Sequence, residues 1–136
     1  MKITICGSLL FFQEMVDAKS KLEKFSHTVS LPEQIEGTDY SNKSIEQGVR
    51  NIQKHNAIIK HYKRIINSDA ILVWNKTKKG IENYVGGNTF LEMGFAFVNN
   101  KSIYLLNPIP KGLNYEEEMR GMAPIVLNGK LDRIRD

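Results

Sequence analysis

The hydrophobic positions of this chain fall into short continuous apolar runs separated by stretches in which apolar residues return at helical spacing. Lys2 to Cys6 is β-branched and apolar and stops at Gly7-Ser8, after which Phe11, Met15, Ala18, Leu22 and Phe25 recur at steps of three and four. That pattern predicts a strand, a tight turn and a helix. Thr28 to Leu31 predicts a second strand ending at Pro32. The polar stretch from Glu33 to Lys43 contains Gly37 and no periodic hydrophobes, so it predicts a long loop and a candidate lid. Ile45, Val49, Ile52, Ile59, Tyr62 and Ile66 share one face of a single amphipathic helix from about Ser44 to Asn67, whose apolar side suits either a sheet or a partner chain. Ala70 to Trp74 reads as a buried strand. Gly86 to Val98 is almost wholly apolar and predicts a helix buried on every side. Ser102 to Leu106, a short helical segment around Tyr115 to Arg120, and Pro124 to Leu127 complete the series.

Strands alternating with helices imply a parallel sheet, because right-handed crossovers lay the helices on its faces. The fold class predicted is α/β: one flavodoxin-like or Rossmann-like domain over residues 1–136, with about five parallel strands and helices on both faces in three layers. Ligands of such sheets bind beyond the carboxyl ends of the strands, near the point where strand order reverses. The loops to watch are Gly7-Ser8, the segment after Leu31, Asn75 to Asn88, and Asn107 onward.

Composition narrows the field modestly. A hydrophobic content of 41% with 25% charged residues is ordinary for a soluble domain, and neither end carries an apolar leader or anchor, so a cytoplasmic protein without membrane association is expected. The single cysteine, Cys6, has no Cys or His at zinc-ligand spacing, and no metal or organic cofactor is expected. A net charge of +4 suits an acidic partner, but the basic residues are dispersed. Lys76, Lys78 and Lys79 form the densest group. With no interleaved aromatic platform, they read as a solvated loop with a mild preference for anions, and no nucleic acid polymer is expected as a partner.

The most informative residue is Glu92. An ionised carboxylate inside an apolar helix is costly unless a partner, water or a ligand compensates it, which marks Glu92 as a candidate for chemistry as well as for helix anchoring. Gly7 and Ser8 open the first helix, where free amides and a hydroxyl suit an anion or a ligand hydroxyl; Ser8 equally suits a helix N-cap. Gly86, Gly87 and Asn88 open the Glu92 helix in the same way, without the Gly-Lys-Ser/Thr ending of a P-loop. Asp69 precedes the third strand, where a turn role competes with a chemical one. His27, His55 and His61 lack a nearby nucleophile motif and read as surface or packing residues.

Ile3-Thr4-Ile5-Cys6-Gly7-Ser8, Ser68-Asp69-Ala70-Ile71-Leu72-Val73 and Gly87-Asn88-Thr89-Phe90-Leu91-Glu92-Met93-Gly94-Phe95-Ala96 together resemble the nucleoside 2-deoxyribosyltransferase superfamily, which includes deoxynucleoside 5'-monophosphate N-glycosidases. The resemblance runs from about Lys2 to Leu127, and its Glu-x-Gly-x-Ala element is the most specific part. It implies that Glu92 is a nucleophile attacking the anomeric carbon of a nucleoside or nucleotide, and that the glycosyl ester then passes to water or to a second base. It further implies Asp69 as proton donor or orienter, and Gly7 and Ser8 facing the 5' side of the sugar. A homodimer or larger homo-oligomer is implied too, in which a late segment, with Asn114 and Met119, completes a neighbour's site.

Three positions differ from the family pattern. Leu10 stands where monophosphate hydrolases place an arginine, Thr4 where they place a tyrosine, and Gly86 where transferases place an acid. Two other functions stay open: a nucleotide-binding sensor or regulatory module that has lost its chemistry, and an N-glycohydrolase of NAD or another nucleotide.

Overall fold

A computed structural model describes residues 1–136. Its strands are β1 (Lys2–Cys6), β2 (Thr28–Ser30), β3 (Ala70–Val73), β4 (Ser102–Leu105) and β5 (Ile125–Val126). Its helices are α1 (Phe12–Lys24), α2 (Ile45–His55), α3 (Ala57–Ile66), α4 (Gly87–Val98) and α5 (Glu116–Gly121). The strands form one sheet in the order β2-β1-β3-β4-β5, and every pairing is parallel. The α/β class and the five-stranded parallel sheet expected from the sequence are therefore observed. No helix is long and apolar enough to cross a membrane.

Alternation along the strands divides the core. Ile3 and Ile5 of β1 and Leu72 of β3 face a layer with Met15, Ala18 and Leu22 of α1. Cys6 and Val73 face the opposite layer, with Ile65 of α3, Met93 of α4 and Met119 near the end of the chain's last helix. The two middle strands are nearly sealed from water, as a doubly covered parallel sheet requires. Thr4 is buried on the α3 side, where its hydroxyl lies 2.6 Å from the Ser68 hydroxyl and donates to the Arg64 carbonyl at 3.2 Å. It ties the end of α3 to β1.

The predicted helix from Ser44 to Asn67 is in fact two helices. Asn56 sits between them with φ 50° and ψ 41°, a left-handed conformation that asparagine tolerates better than most residues, so the helical path breaks there. The inner face also differs from the one expected. His61 and Ile65 are buried, whereas Ile45 is 82% exposed and Val49, Ile52 and Ile59 are exposed as well. The apolar side of α2 is not spent on the sheet. Nor is α4 buried all round, since Leu91, Phe97 and Val98 reach solvent.

Strand order reverses between β1 and β3, since β2 lies beyond one and β4 beyond the other. The carboxyl ends there are held by a pair of asparagines. Asn75 donates from Nδ2 to the carbonyls of Asn107 and Pro108 at 2.9 and 3.1 Å, and its Oδ1 accepts from the Asn107 amide at 3.0 Å. Asn107 returns a bond from Nδ2 to the Asn75 carbonyl at 3.0 Å. Asn75 is 1% exposed, so its loss leaves a buried gap and removes the partners of partly buried polar groups in the loop after β4. We predict that Asn75→Ala lowers stability by about 2–4 kcal/mol, read from the urea midpoint, whereas a change below about 0.5 kcal/mol would show that the stitch is dispensable.

Candidate active site

A cavity of about 430 Å³ opens at this reversal point. Gly7, Ser8, Gly86, Gly87 and Asn88, five residues singled out from the sequence, all line it. Gly7 is required by packing: a Cβ there would lie 3.1 Å from the Trp74 Cβ and 3.2 Å from its carbonyl oxygen. At Gly87 a Cβ would meet nothing within 4 Å, so that glycine leaves open space at the mouth of α4. Ser8 fills both roles expected of it. Its hydroxyl accepts from the Leu10 amide as an N-cap of the turn Leu9–Phe11, and it also accepts from Lys78 Nζ at 2.9 Å. Tyr40 and Lys43, from the irregular segment before α2, form another wall.

Glu92 lies directly below this mouth. Thr89 lines the cavity, and Glu92 follows it by one turn on the same helix face, where side chains lean toward the helix N-terminus. The side chain is not itself part of the cavity wall. It is 6% exposed, and its Oε2 lies 3.4 Å from His61 Nε2. His61 Nε2 is also 3.4 Å from the Cys6 sulfur.

The protonation of this cluster follows from its neighbours. Arginine can only donate, so the contact between Arg64 Nη1 and His61 Nδ1 at 3.3 Å makes Nδ1 an acceptor and leaves the ring proton on Nε2. Burial, with the nearby Arg64 charge adding to it, depresses the His61 pKa to about 4. Burial raises the Glu92 carboxyl to about 8, against a smaller opposing pull from Arg64. Burial, then the Glu92 charge, pushes the Cys6 thiol well up. The close approach of His61 and Glu92 has the geometry of an ion pair, but near pH 7 both groups are mainly neutral. It is a polar contact between neutral groups.

Cys6, His61 and Glu92 also present one ligand atom each within 4.8 Å of one another, a donor set of the kind that binds zinc. Metal-bound histidines normally pass their other ring proton to an acceptor. Here a guanidinium donor occupies that side, so Nε2 is protonated and cannot ligate until Arg64 moves. The arrangement favours a proton-bearing cluster over a metal centre.

The remaining predicted residues lie elsewhere. Asp69 stands at the amino end of β3, where its Oδ2 accepts from the Lys2 amide at 2.7 Å. It does not line the cavity, which lies beyond the opposite, carboxyl ends of the strands. Met119 is fully buried within the second core layer and is unavailable to a neighbouring subunit, while Asn114 is exposed. His61, expected as a surface or packing residue, is buried beside Glu92 and Cys6; its place four residues before Ile65 on the inward side of α3 is the signal the sequence carries.

No family model matches the chain, and no curated protein does. Solved structures do. A 2-deoxyribosyltransferase from Bacillus psychrosaccharolyticus superposes with a TM-score of 0.56 at 17% identity, over 84% of this chain and 77% of that one. The CMP N-glycosidase BcmB of Clostridium botulinum gives 0.55 at 17% identity, over 97% and 93%.

Asp69→Ala loses one bond to a backbone amide and should cost about 1 kcal/mol in the urea midpoint while leaving ligand binding in the cavity unchanged; altered binding would place Asp69 in the site. For Glu92 the folded pKa is raised, so the native state holds an extra proton between the unfolded value near 4.5 and about 8. Stability from this group is present below that window and is lost as pH rises through it, by an amount on the order of 5 kcal/mol. Glu92→Gln should flatten that decline in thermal midpoints measured from pH 5 to 9, and an unchanged slope would contradict the assignment. The fold that brings these residues together is one the chain shares with a nucleoside deoxyribosyltransferase and a nucleotide N-glycosidase.

Proposed function

We propose that this protein breaks the N-glycosidic bond of a nucleoside or nucleotide through a covalent intermediate on Glu92. The observation that carries the proposal is a buried carboxyl, with a pKa raised to about 8, one turn below the open mouth of α4. The fold shared with a deoxyribosyltransferase and a CMP N-glycosidase supports the same class of bond.

In the reaction, the ionised Glu92 oxygen forms a bond to the anomeric carbon as the carbon–nitrogen bond breaks. The bonding electron pair leaves with the base, which takes up a proton. Water or a second base then attacks the same carbon and frees the carboxylate. A carboxylate in a dry site is poorly solvated, and the positive charge that develops on the sugar ring supplies the compensation that the empty site lacks. Asp69, placed at the amino end of the sheet, is not the donor to the base in this scheme. The His61 N–H stands beside the Glu92 oxygen and helps fix its orientation.

A second function is favoured by one observation: Glu92 lies behind the cavity wall. A nucleotide-binding module that has lost its chemistry would keep the cavity and leave this carboxyl permanently protonated.

Incubation of wild-type and Glu92→Gln protein with nucleosides, their 5'-phosphates and NAD, with and without a second base, separates the two by chromatography. The enzyme reading requires base release or exchange by wild type and at least about a thousandfold loss in the variant. Because the free protein must ionise Glu92, kcat/KM should rise about tenfold per pH unit below about 8 and level above it. Wild-type binding without turnover at any pH would establish the binding module instead, and turnover by the variant would remove Glu92 from the chemistry.

A further inference from the structure

We propose that the ligand of this cavity carries a chain of two or more phosphates, a nucleoside 5'-diphosphate or triphosphate, and that Lys43, Lys78 and Lys79 hold that chain. The proposal names the substrate class for the N-glycosidic reaction proposed above and rests on that assignment of the cavity.

Charge carries the case. The cavity lining includes Lys43, Lys78 and Lys79 and no carboxylate. Lys76, on the same loop, is paired with Glu14 at 3.5 Å, whereas the ion pairs of the molecule include none of the three lining lysines. The three come from two different segments, the one before α2 and the one between β3 and α4. Lys78 is half-buried against Ser8, and the Lys43 and Lys79 ammonium groups each stand 5.9 Å from the ring centre of a cavity-lining tyrosine, Tyr40 and Tyr84. Burial first, then the charges of Lys79 and Lys43, depresses the Lys78 pKa, as expected when like charges crowd one opening.

Gathering uncompensated cations around one concavity is unfavourable for the empty protein and favourable for an anion that enters it. The lining adds further donors. The 12-residue helix α4 begins here at Gly87, and its N-cap, Gly86, has no side chain to cap it, so its first amides are left without a side-chain acceptor at the rim of the cavity. One terminal phosphate brings about −1.5 to −2 charges at neutral pH, which two ammonium groups neutralise. Three lysines and a helix terminus match a more highly charged chain. Lysine acts as a point charge without the bidentate geometry of arginine, which suits a flexible phosphate chain. The missing arginine at Leu10 is thus offset from another loop: Leu10 is exposed and outside the cavity lining, and Lys78 reaches Ser8 in its place.

Calorimetric titration tests this on Glu92→Gln protein, so that turnover does not consume the ligand. The probes are a nucleoside and its 5'-mono-, di- and triphosphate, together with inorganic phosphate, pyrophosphate and tripolyphosphate, at two salt concentrations. Affinity should rise at least about tenfold from mono- to diphosphate, with a steeper salt dependence for the longer chain. Lys78→Met and the exposed Lys79→Met should each reduce that preference severalfold, with a smaller loss of affinity for the unphosphorylated nucleoside than for its diphosphate. Equal or tighter binding of the monophosphate, or a preference for diphosphate that survives both substitutions, would overturn the proposal. Base release by wild type without any phosphate preference would reject this inference and keep the glycosidic function; the converse would reject the glycosidic function alone.

Discussion

The organisation of this molecule depends on a carboxyl group placed where an ionised one is costly. Glu92 is held in α4, one turn beyond the cavity-lining Thr89, and its burial keeps it protonated near neutrality against the opposing charge of Arg64. Arg64 fixes the His61 proton on the nitrogen that faces Glu92 and Cys6. Thr4 and Ser68 in turn bond the Arg64 carbonyl, which anchors the end of α3 beside β1. A polar set embedded in an apolar layer thus sets the orientation of one oxygen atom. Its energetic cost is offset by the hydrophobic packing of Met93, Ile65 and their neighbours on the same face.

The cavity itself has the opposite character. Its walls are loops and the start of α4, its charges are cationic and its lysines reach it from separate segments. The doubly wound sheet explains the pairing of these two environments. Parallel strands end together, the asparagine stitch between Asn75 and Asn107 fixes two of those ends, and the helix that carries Glu92 starts from the same rim. A dry carboxyl and a wet, positively charged mouth therefore lie within one helical turn of each other. That combination suits a ligand with an uncharged reacting centre and an anionic tail.

Much of this was legible in the residues. Continuous apolar runs located β1 and β3, Gly7-Ser8 and Gly86-Gly87-Asn88 marked the rim, and Glu92 was conspicuous as the one acid in an apolar helix. The break at Asn56 was not legible, because the hydrophobic period continues past it and only the backbone conformation reveals the left-handed residue. The burial of His61 was not legible either: the apolar face through Ile59, Tyr62 and Ile66 is turned by one residue from the buried face through His61 and Ile65, and Ile59 is exposed. Asp69 carries a different lesson. A residue just before a parallel strand lies at its amino end, away from the ligand crevice, so topology alone separates it from Glu92. Lys43 and Lys78 are 35 positions apart in the chain, and only the folded loops bring them to one opening.

The most direct test of Glu92 as nucleophile is mass spectrometry of the protein after incubation with a 2-fluorinated nucleotide, whose electron-withdrawing substituent slows breakdown of a glycosyl ester. The account predicts one added sugar per chain, mapped to the peptide containing Glu92, and no addition to Glu92→Gln. Base release without a sugar on that peptide, or with the sugar on another residue, would contradict it.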